Sequence, residues 1–259
     1  MTLSGFEAAV AMERKEQSAM SFLALETLRV GDGVMAYGGE HSHVNKVIGL
    51  GLEEPIDEEM LKKIDEFYAD HGARPRLEIT SFASGESLRL LALAGYVLVE
   101  VGNVFVRSVD DFELSHIEVR HVDRNDEKAV HEAVRLSMSG FYPDETDVPE
   151  SAMNVGLRSA AHDITDGFIA IADGMPVGAA FCSSSHGITL LYGASTRPEF
   201  RTQGVQRALI GARLACGKAR GSHHAVVVSR PGHATERSVS KLGFQLAYVR
   251  MALMKRAAH

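Results

Sequence analysis

The sequence predicts an α/β fold of mixed α+β character, built from two tandem copies of one pattern. Three observations predict it. The same order of apolar runs occurs twice, each copy alternates between strand-like and helix-like spacing, and a strand-to-helix turn carries opposite charge in the two copies.

Residues 47–106 run VIGLGL, a polar helix pattern ending at Gly72, a strand-like LEITSF, a short helix SLRLLALA, then Gly95-Tyr96 and the alternating VLVEVGNVFVR. Residues 188–254 repeat the order as ITLLYGAST, a helix pattern ending at Gly221, AVVVS, TERSVSKL, then Gly243-Phe244 and QLAYVRMALM. Short β-rich runs bounded by turn residues read as strands. Val205, Ala208, Leu209, Ala212 and Ala215 recur at the spacing of a buried helical face. Each copy therefore reads as strand, crossover helix, strand, helix, strand, in a mixed, partly parallel sheet flanked by helices.

Before the second copy, IEVRHV at 117–122 reads as a strand and 125–139 and 149–161 as helices. FIAIA, an Asp173-Gly174 turn and VGAAFC then read as a hairpin. Residues 1–30 read as helical and packed on the first half. A linker near 108–116 divides the chain into domains 1–110 and 115–259.

At 259 residues, 45% hydrophobic and 24% charged, the chain is ordinary globular protein. Its net charge of −7 argues against a nucleic-acid partner, which needs lysines and arginines to neutralise phosphates. Charged residues interrupt every apolar stretch before it reaches the length of a membrane span. The expectation is a cytoplasmic protein, monomeric or homodimeric, with Cys182 and Cys216 as reduced, packed thiols. His41 with His43, and His223 with His224, lack further ligands at metal spacing and read as structural, so no metal is expected.

The copies differ at one place. Gly51 and Gly193 are 142 residues apart, Gly72 and Gly221 are 149 apart, so the second copy holds seven more residues between strand and helix end. Those residues include Arg201-Thr202-Gln203-Gly204-Val205-Gln206. Residues 49–72 hold eight acids against two lysines, whereas 197–220 hold six bases, Arg197, Arg201, Arg207, Arg213, Lys218 and Arg220, against Glu199. A glycine-bearing turn into a helix offers unpaired N–H groups and partial positive charge, which suits phosphate oxygens. By motif alone the turn reads equally as the tight start of a surface helix.

The run LLYGASTRPEFRTQGVQRALIGARL, followed by TERSVSKLGF, resembles the core of the GCN5-related N-acetyltransferase (GNAT) superfamily. The matching positions are Pro198, Arg201, Gly204, Gln206 and Lys241-Leu242-Gly243-Phe244. The resemblance implies two tandem GNAT-like domains, the first degenerate and lacking the loop, the second binding acetyl-CoA. It also implies an acyltransferase that passes an acetyl group to a primary amine of a small molecule by direct attack in a ternary complex. Main-chain groups of Ala194, Ser195 and Thr196 would face the acetyl and pantetheine units, and the amides of Thr202, Gln203, Gly204, Val205, Gln206 and Arg207, beside Arg201, would hold the pyrophosphate. Ser229 and Ser238 would contact pantetheine or the thiolate.

Two positions depart from the family pattern. Gln206 replaces the usual Gly or Ala, and Val239 stands where the family often has a tyrosine that protonates the leaving thiolate. Ser238 is the expected replacement donor. Glu145, in the loop Phe141-Tyr142-Pro143-Asp144-Glu145, is the expected proton relay from the amine. A non-catalytic acyl-CoA-binding regulator is the competing reading, and a purely structural repeat protein is a third.

Overall fold

A computed structural model describes residues 3–112, 115–142 and 148–256. They form two compact units: Leu3–Phe105 together with the segment from Val228 on, and Val106–Val227.

The first unit opens with α1 (Gly5–Leu23), started by a capping box in which Glu7 N–H donates to Ser4 Oγ and Ser4 N–H donates to Glu7 Oε2. The expected helix through residue 30 stops short, because β1 (Glu26–Val30) and β2 (Gly33–Tyr37) form an antiparallel hairpin. Thr27 and Val30 favour extended backbone, and Gly31, at φ 54°, supplies the reversal. There follow β3 (Lys46–Ile48), α2 (Glu58–Asp70), β4 (Arg76–Thr80), α3 (Gly85–Leu93) and β5 (Tyr96–Ser108).

The second unit holds β6 (Glu118–Val122), α4 (Glu127–Met138), α5 (Glu150–Ala161), β7 (Thr165–Ala172), β8 (Met175–Ser185), β9 (Ile188–Thr196), α6 (Val205–Ala219) and the start of β10 (His224–Ser229). The chain then returns to the first unit with α7 (Ala234–Lys241) and β11 (Gln245–Lys255).

Strand order in the first unit is β1-β2-β3-β4-β11-β5. The β1–β2 and β2–β3 pairs are antiparallel, while β3–β4 is parallel and bridged by α2. In the second unit the order is β6-β7-β8-β9-β10, antiparallel as far as β9 and parallel from β9 to β10 across α6. The block β1–β4 with α2 thus has the same topology as β7–β10 with α6, so the likeness extends back beyond the repeat read from the sequence.

The last strand does not stay with its own copy. β11, the sequence counterpart of β5, inserts antiparallel beside β4, pairing Leu253 with Leu77 and Met251 with Ile79. Leu253 lies in the same buried cluster as Leu77, Ile79, Ile64 and Leu91. Each such fully buried side chain contributes on the order of 1.5–3 kcal/mol. The sequence copies divide near residue 110, whereas the compact units divide within β5 and β10.

In the second unit α4 and α5 pack on the sheet, with Val130, Ala133, Val134 and Ala160 in one buried cluster with Ile169 and Phe181. On α6 the buried positions are Val205, Ala208, Leu209, Ile210, Gly211, Arg213, Leu214 and Gly217. Ala212 is only half-buried and Ala215 is exposed, so the inner stripe is rotated from the alanine spacing expected from the sequence. The larger apolar side chains Val205, Leu209, Ile210 and Leu214 take the inner face, and Gly217 lets the helix come close to Thr189.

Candidate functional site

The loop entering α6 has the backbone of an anion cradle. After a short 3₁₀ turn at Pro198–Phe200, Thr202 and Gly204 both take left-handed conformations, at φ 65° and 90°. A Cβ at Gly204 would meet only Ile117 Cδ1, at 3.7 Å, so glycine is required there by its dihedral angle and not by crowding. The first bond of the helical ladder runs from Ala208 N–H to Gly204 O. The amides of Val205, Gln206 and Arg207 therefore precede the ladder at the positive end of a fifteen-residue helix.

Side chains brace this loop. Gln203 Nε2 donates to Glu199 O at 2.9 Å, and Arg201 Nε donates to Thr196 O at 3.4 Å. The guanidinium of Arg207 lies 5.7 Å from the centre of the Phe112 ring, and that of Arg107 lies 5.3 Å from it. Neither Arg107 nor Phe112 stood out in the sequence, because each is an ordinary residue at a strand end or in a loop.

The charge around the turn is smaller than the count of six bases implies. Arg213 is fully buried and donates to Leu209 O and Phe181 O, and burial lowers its pKa to about 10. Lys218 pairs with Asp110 at 2.6 Å, and Arg220 with Asp166 at 2.5 Å. Arg197, Arg201 and Arg207 are the members of that set beside the loop.

Strand β9 leads into the loop and is irregular where the sequence places Ala194, Ser195 and Thr196. Across β8 the register changes from Phe181↔Tyr192 to Ala179↔Ser195, a bulge centred on Gly193, which has φ 57°. The parallel ladder with β10 covers only Ile188–Leu190 against His224–Val226, and β9 continues six residues beyond it. Glycine inside a strand is the sequence signal for such a bulge. The Ser195 hydroxyl lies 3.1 Å from that of Ser139, at the end of α4, and a Cβ on Gly140 would fall 2.9 Å from Ser195 Oγ. The segment after α4 thus abuts the strand end, a contact between residues 56 apart that sequence spacing does not show.

Ser229 and Ser238 belong to the first unit. Ser229 is buried, and Ser238 donates its hydroxyl proton to Ala234 O at 3.0 Å, a bond within its own helix. Val239 is buried in the same unit. Glu145 lies outside the described residues.

Among the described residues, one group, Asp166, Cys182 and Cys216, brings possible metal-ligating atoms within 4.8 Å of one another. The Asp166 carboxylate there is already engaged by Arg220 and by His121 Nε2 at 2.9 Å. His41 is exposed beside Glu40. Burial, and then Lys46, lower the pKa of His43. No helix among the described residues is long and apolar enough to cross a membrane.

No protein-family model matches the sequence, and no curated protein matches it. Solved structures do. A GCN5-related N-acetyltransferase from Kribbella flavida superposes with a TM-score of 0.71 at 16% identity, covering 97% of this chain and 96% of that one. A second, from Sphaerobacter thermophilus, gives 0.57 at 15% identity, covering 98% and 92%. The fold is therefore that of the GCN5-related N-acetyltransferases. More particularly it is the tandem form: a tandem GNAT protein from the clavulanic acid biosynthesis pathway matches with a TM-score of 0.59 at 12% identity, over 99% of this chain and 98% of that one.

Proposed function

We propose that the chain is an acyltransferase that uses acetyl-CoA to acetylate a primary amine of a small molecule. The observation that carries this reading is the pairing of a bulged strand end at Gly193 with a left-handed loop at the start of α6. The first offers main-chain groups along an edge that leaves its parallel neighbour, and the second offers clustered amides to an anion. These residues fit an extended cofactor with a pyrophosphate at one end and a thioester at the other.

In this reading acetyl-CoA supplies the activated carbonyl. The amides from Thr202 to Arg207 bind the pyrophosphate, and Arg197 and Arg201 offset its charge. The main chain at Ala194, Ser195 and Thr196 would hold the pantetheine and acetyl units, and an amide there would be placed to donate to an oxygen that gains negative charge. Fixing amine and thioester together removes much of the entropic barrier to attack. Glu145 would accept the amine proton, and Ser238 would supply one to the leaving thiolate if it gave up its bond to Ala234 O. The sequence halves 1–110 and 115–259 are then a degenerate and a cofactor-binding copy, in a cytoplasmic protein.

The prior commitment of the Ser238 proton and the burial of Val239 favour a second reading, an acyl-CoA-binding regulator without turnover. Calorimetry with CoA on the wild-type chain and on Gly204→Glu tests the shared part. Binding should be lost in the variant while its far-UV circular dichroism is kept, and retained affinity would remove the loop from the site. Release of CoA thiol in the presence of a panel of amines then separates enzyme from regulator. Tight binding without turnover on any amine selects the regulator.

A further inference from the structure

The first unit holds an amide cluster of its own that suits an anion, and it is already filled. Just beyond β3, at the place corresponding to the end of β9, Gly49 and Gly51 take φ values of 81° and 77°. Four consecutive amides there converge on one carboxylate. Gly51 N–H donates to Asp32 Oδ1 at 2.9 Å, and Leu52, Glu53 and Glu54 N–H donate to Asp32 Oδ2 at 2.9, 2.6 and 3.3 Å. Successive amides aimed at one point in a turn with positive φ form an oxyanion nest.

Asp32 comes from the β1–β2 turn, and its backbone is pinned from a third element. Gln17 Nε2, on α1, donates to Asp32 O at 2.9 Å and reaches Ile48 O at 3.5 Å. A Cβ on Gly49 would lie 1.9 Å from that amide nitrogen, so the closed arrangement requires glycine there. The counterpart turn in the second unit, between β7 and β8, carries Asp173, 141 residues after Asp32, where Gly193 follows Gly51 by 142. Asp173 is exposed. Equivalent hairpin turns thus present an aspartate in both units, and one of the two folds its carboxylate into the nest.

We infer that Asp32 is a built-in substitute for a phosphate group, which closes the first unit to phosphate-bearing cofactors and leaves each chain one cofactor site, in the second unit. The last clause rests on the reading of the α6 loop given above. A tethered, pre-positioned carboxylate outcompetes an external anion because its translational freedom is already lost. Glu53 and Glu54 beside the nest add repulsion toward a second anion, although Glu53 is paired with Arg14 at 2.8 Å. The inverted charge of the first copy's turn is then part of the same exclusion.

The test uses inorganic phosphate, titrated against chloride at constant ionic strength while Tm is followed. Chains carrying Gly204→Glu alone and Gly204→Glu with Asp32→Ala are compared, so that the second unit's loop is blocked in both. The Asp32→Ala chain should melt lower in chloride and gain a saturable rise of roughly 2–4 °C in phosphate that the other chain lacks. An identical phosphate response in the two chains would overturn the inference. Should Asp32→Ala fail to fold, Asp32→Asn, which keeps the shape but can accept at one oxygen only, is read by the same criterion. Calorimetry of the unaltered chain with CoA should give one site per chain, and two sites would also overturn it. No binding at all would instead sink the reading of the α6 loop and the one-per-chain count, while the phosphate response still decides the role of Asp32.

Discussion

Arg220, at the end of α6, grips Asp166 of β7 with two nitrogens: Nε lies 2.5 Å from Oδ2 and one terminal nitrogen 3.0 Å from Oδ1. Asp166 is only 5% exposed, so this carboxylate depends on its partners for the hydration it lost. Burial raises its pKa, but the bonds from Arg220 and then His121 outweigh it, and the group sits below its ordinary value. The helix that starts at the Gly204 loop is thereby anchored to the sheet at its far end.

Replacing Arg220 with Met should cost about 3 kcal/mol, because it leaves a buried carboxylate short of a partner. Urea unfolding at pH 7 should show a lower midpoint with unchanged slope. The pH dependence has a defined sign. A carboxylate with a depressed folded pKa contributes its full stability above its unfolded pKa, near 4, and loses it as the pH falls through the folded value. The acid limb of the wild-type profile should therefore be flatter in Arg220→Met, and parallel profiles would refute the assignment.

The anchor and the loop were unequally legible in the sequence. Strand β9, the loop and α6 could be read from ITLLYGAST, Gly204 and the periodicity after it, because all three signals are local. Asp166 and Arg220 are 54 residues apart, and neither has a neighbour in sequence that marks it. The placement of β11 beside β4 joins Leu253 to Leu77 across most of the chain, and alternation alone sets a strand's inward face without naming its neighbour. The Asp32 nest was hidden for the same reason, since an aspartate in a turn ordinarily reads as a turn former.

In the first unit, Arg250 lies among Glu13 and Glu16 of α1 and Glu78 of β4, at 2.6, 2.6 and 3.3 Å. Lys46 and Arg76 also approach Glu78, and Tyr248 is buried nearby. Burial, against the pull of Arg250, raises the Glu13 pKa to about 7, with Glu16 and Glu78 adding repulsion. A folded pKa above the unfolded one means that the folded state holds the extra proton between about pH 4.5 and 7, so stability falls as pH rises through that window. Glu13→Gln, which still offers Arg250 an acceptor, should remove much of this fall. Unfolding free energies at pH 5 and pH 8 check it, and an equal fall in wild type and variant would exclude Glu13 as its source.

Arg213 presents the opposite case, a fully buried cation whose described bonds go to two carbonyl oxygens, Leu209 O and Phe181 O. Desolvating a guanidinium is expensive, and two neutral acceptors return only part of the cost. Arg213→Met, similar in volume and uncharged, should leave stability within about 1 kcal/mol of wild type or raise it. A loss of several kcal/mol in chemical denaturation would instead mean that the two carbonyls depend on the guanidinium.

At Gly217, α6 comes close to β9. A Cβ there would fall 2.3 Å from Thr189 Oγ1 and 2.9 Å from its Cβ, and Thr189 is fully buried with its hydroxyl 2.9 Å from Ser184 Oγ. Helix propensity alone would make Gly217→Ala stabilising by about 1 kcal/mol. Overpacking acts against it and typically costs 1–3 kcal/mol, so a net destabilisation of about 0–2 kcal/mol is expected, toward the upper end for a contact this short. Thr189→Ala removes the nearest clashing atom, Oγ1, and leaves the Cβ contact at 2.9 Å, at the cost of one buried hydroxyl bond. The double variant should therefore be more stable than the sum of the two single changes predicts. Strict additivity in that cycle would show that the helix moves away freely, and that its seat on β9 is looser than the Gly217–Thr189 contact implies.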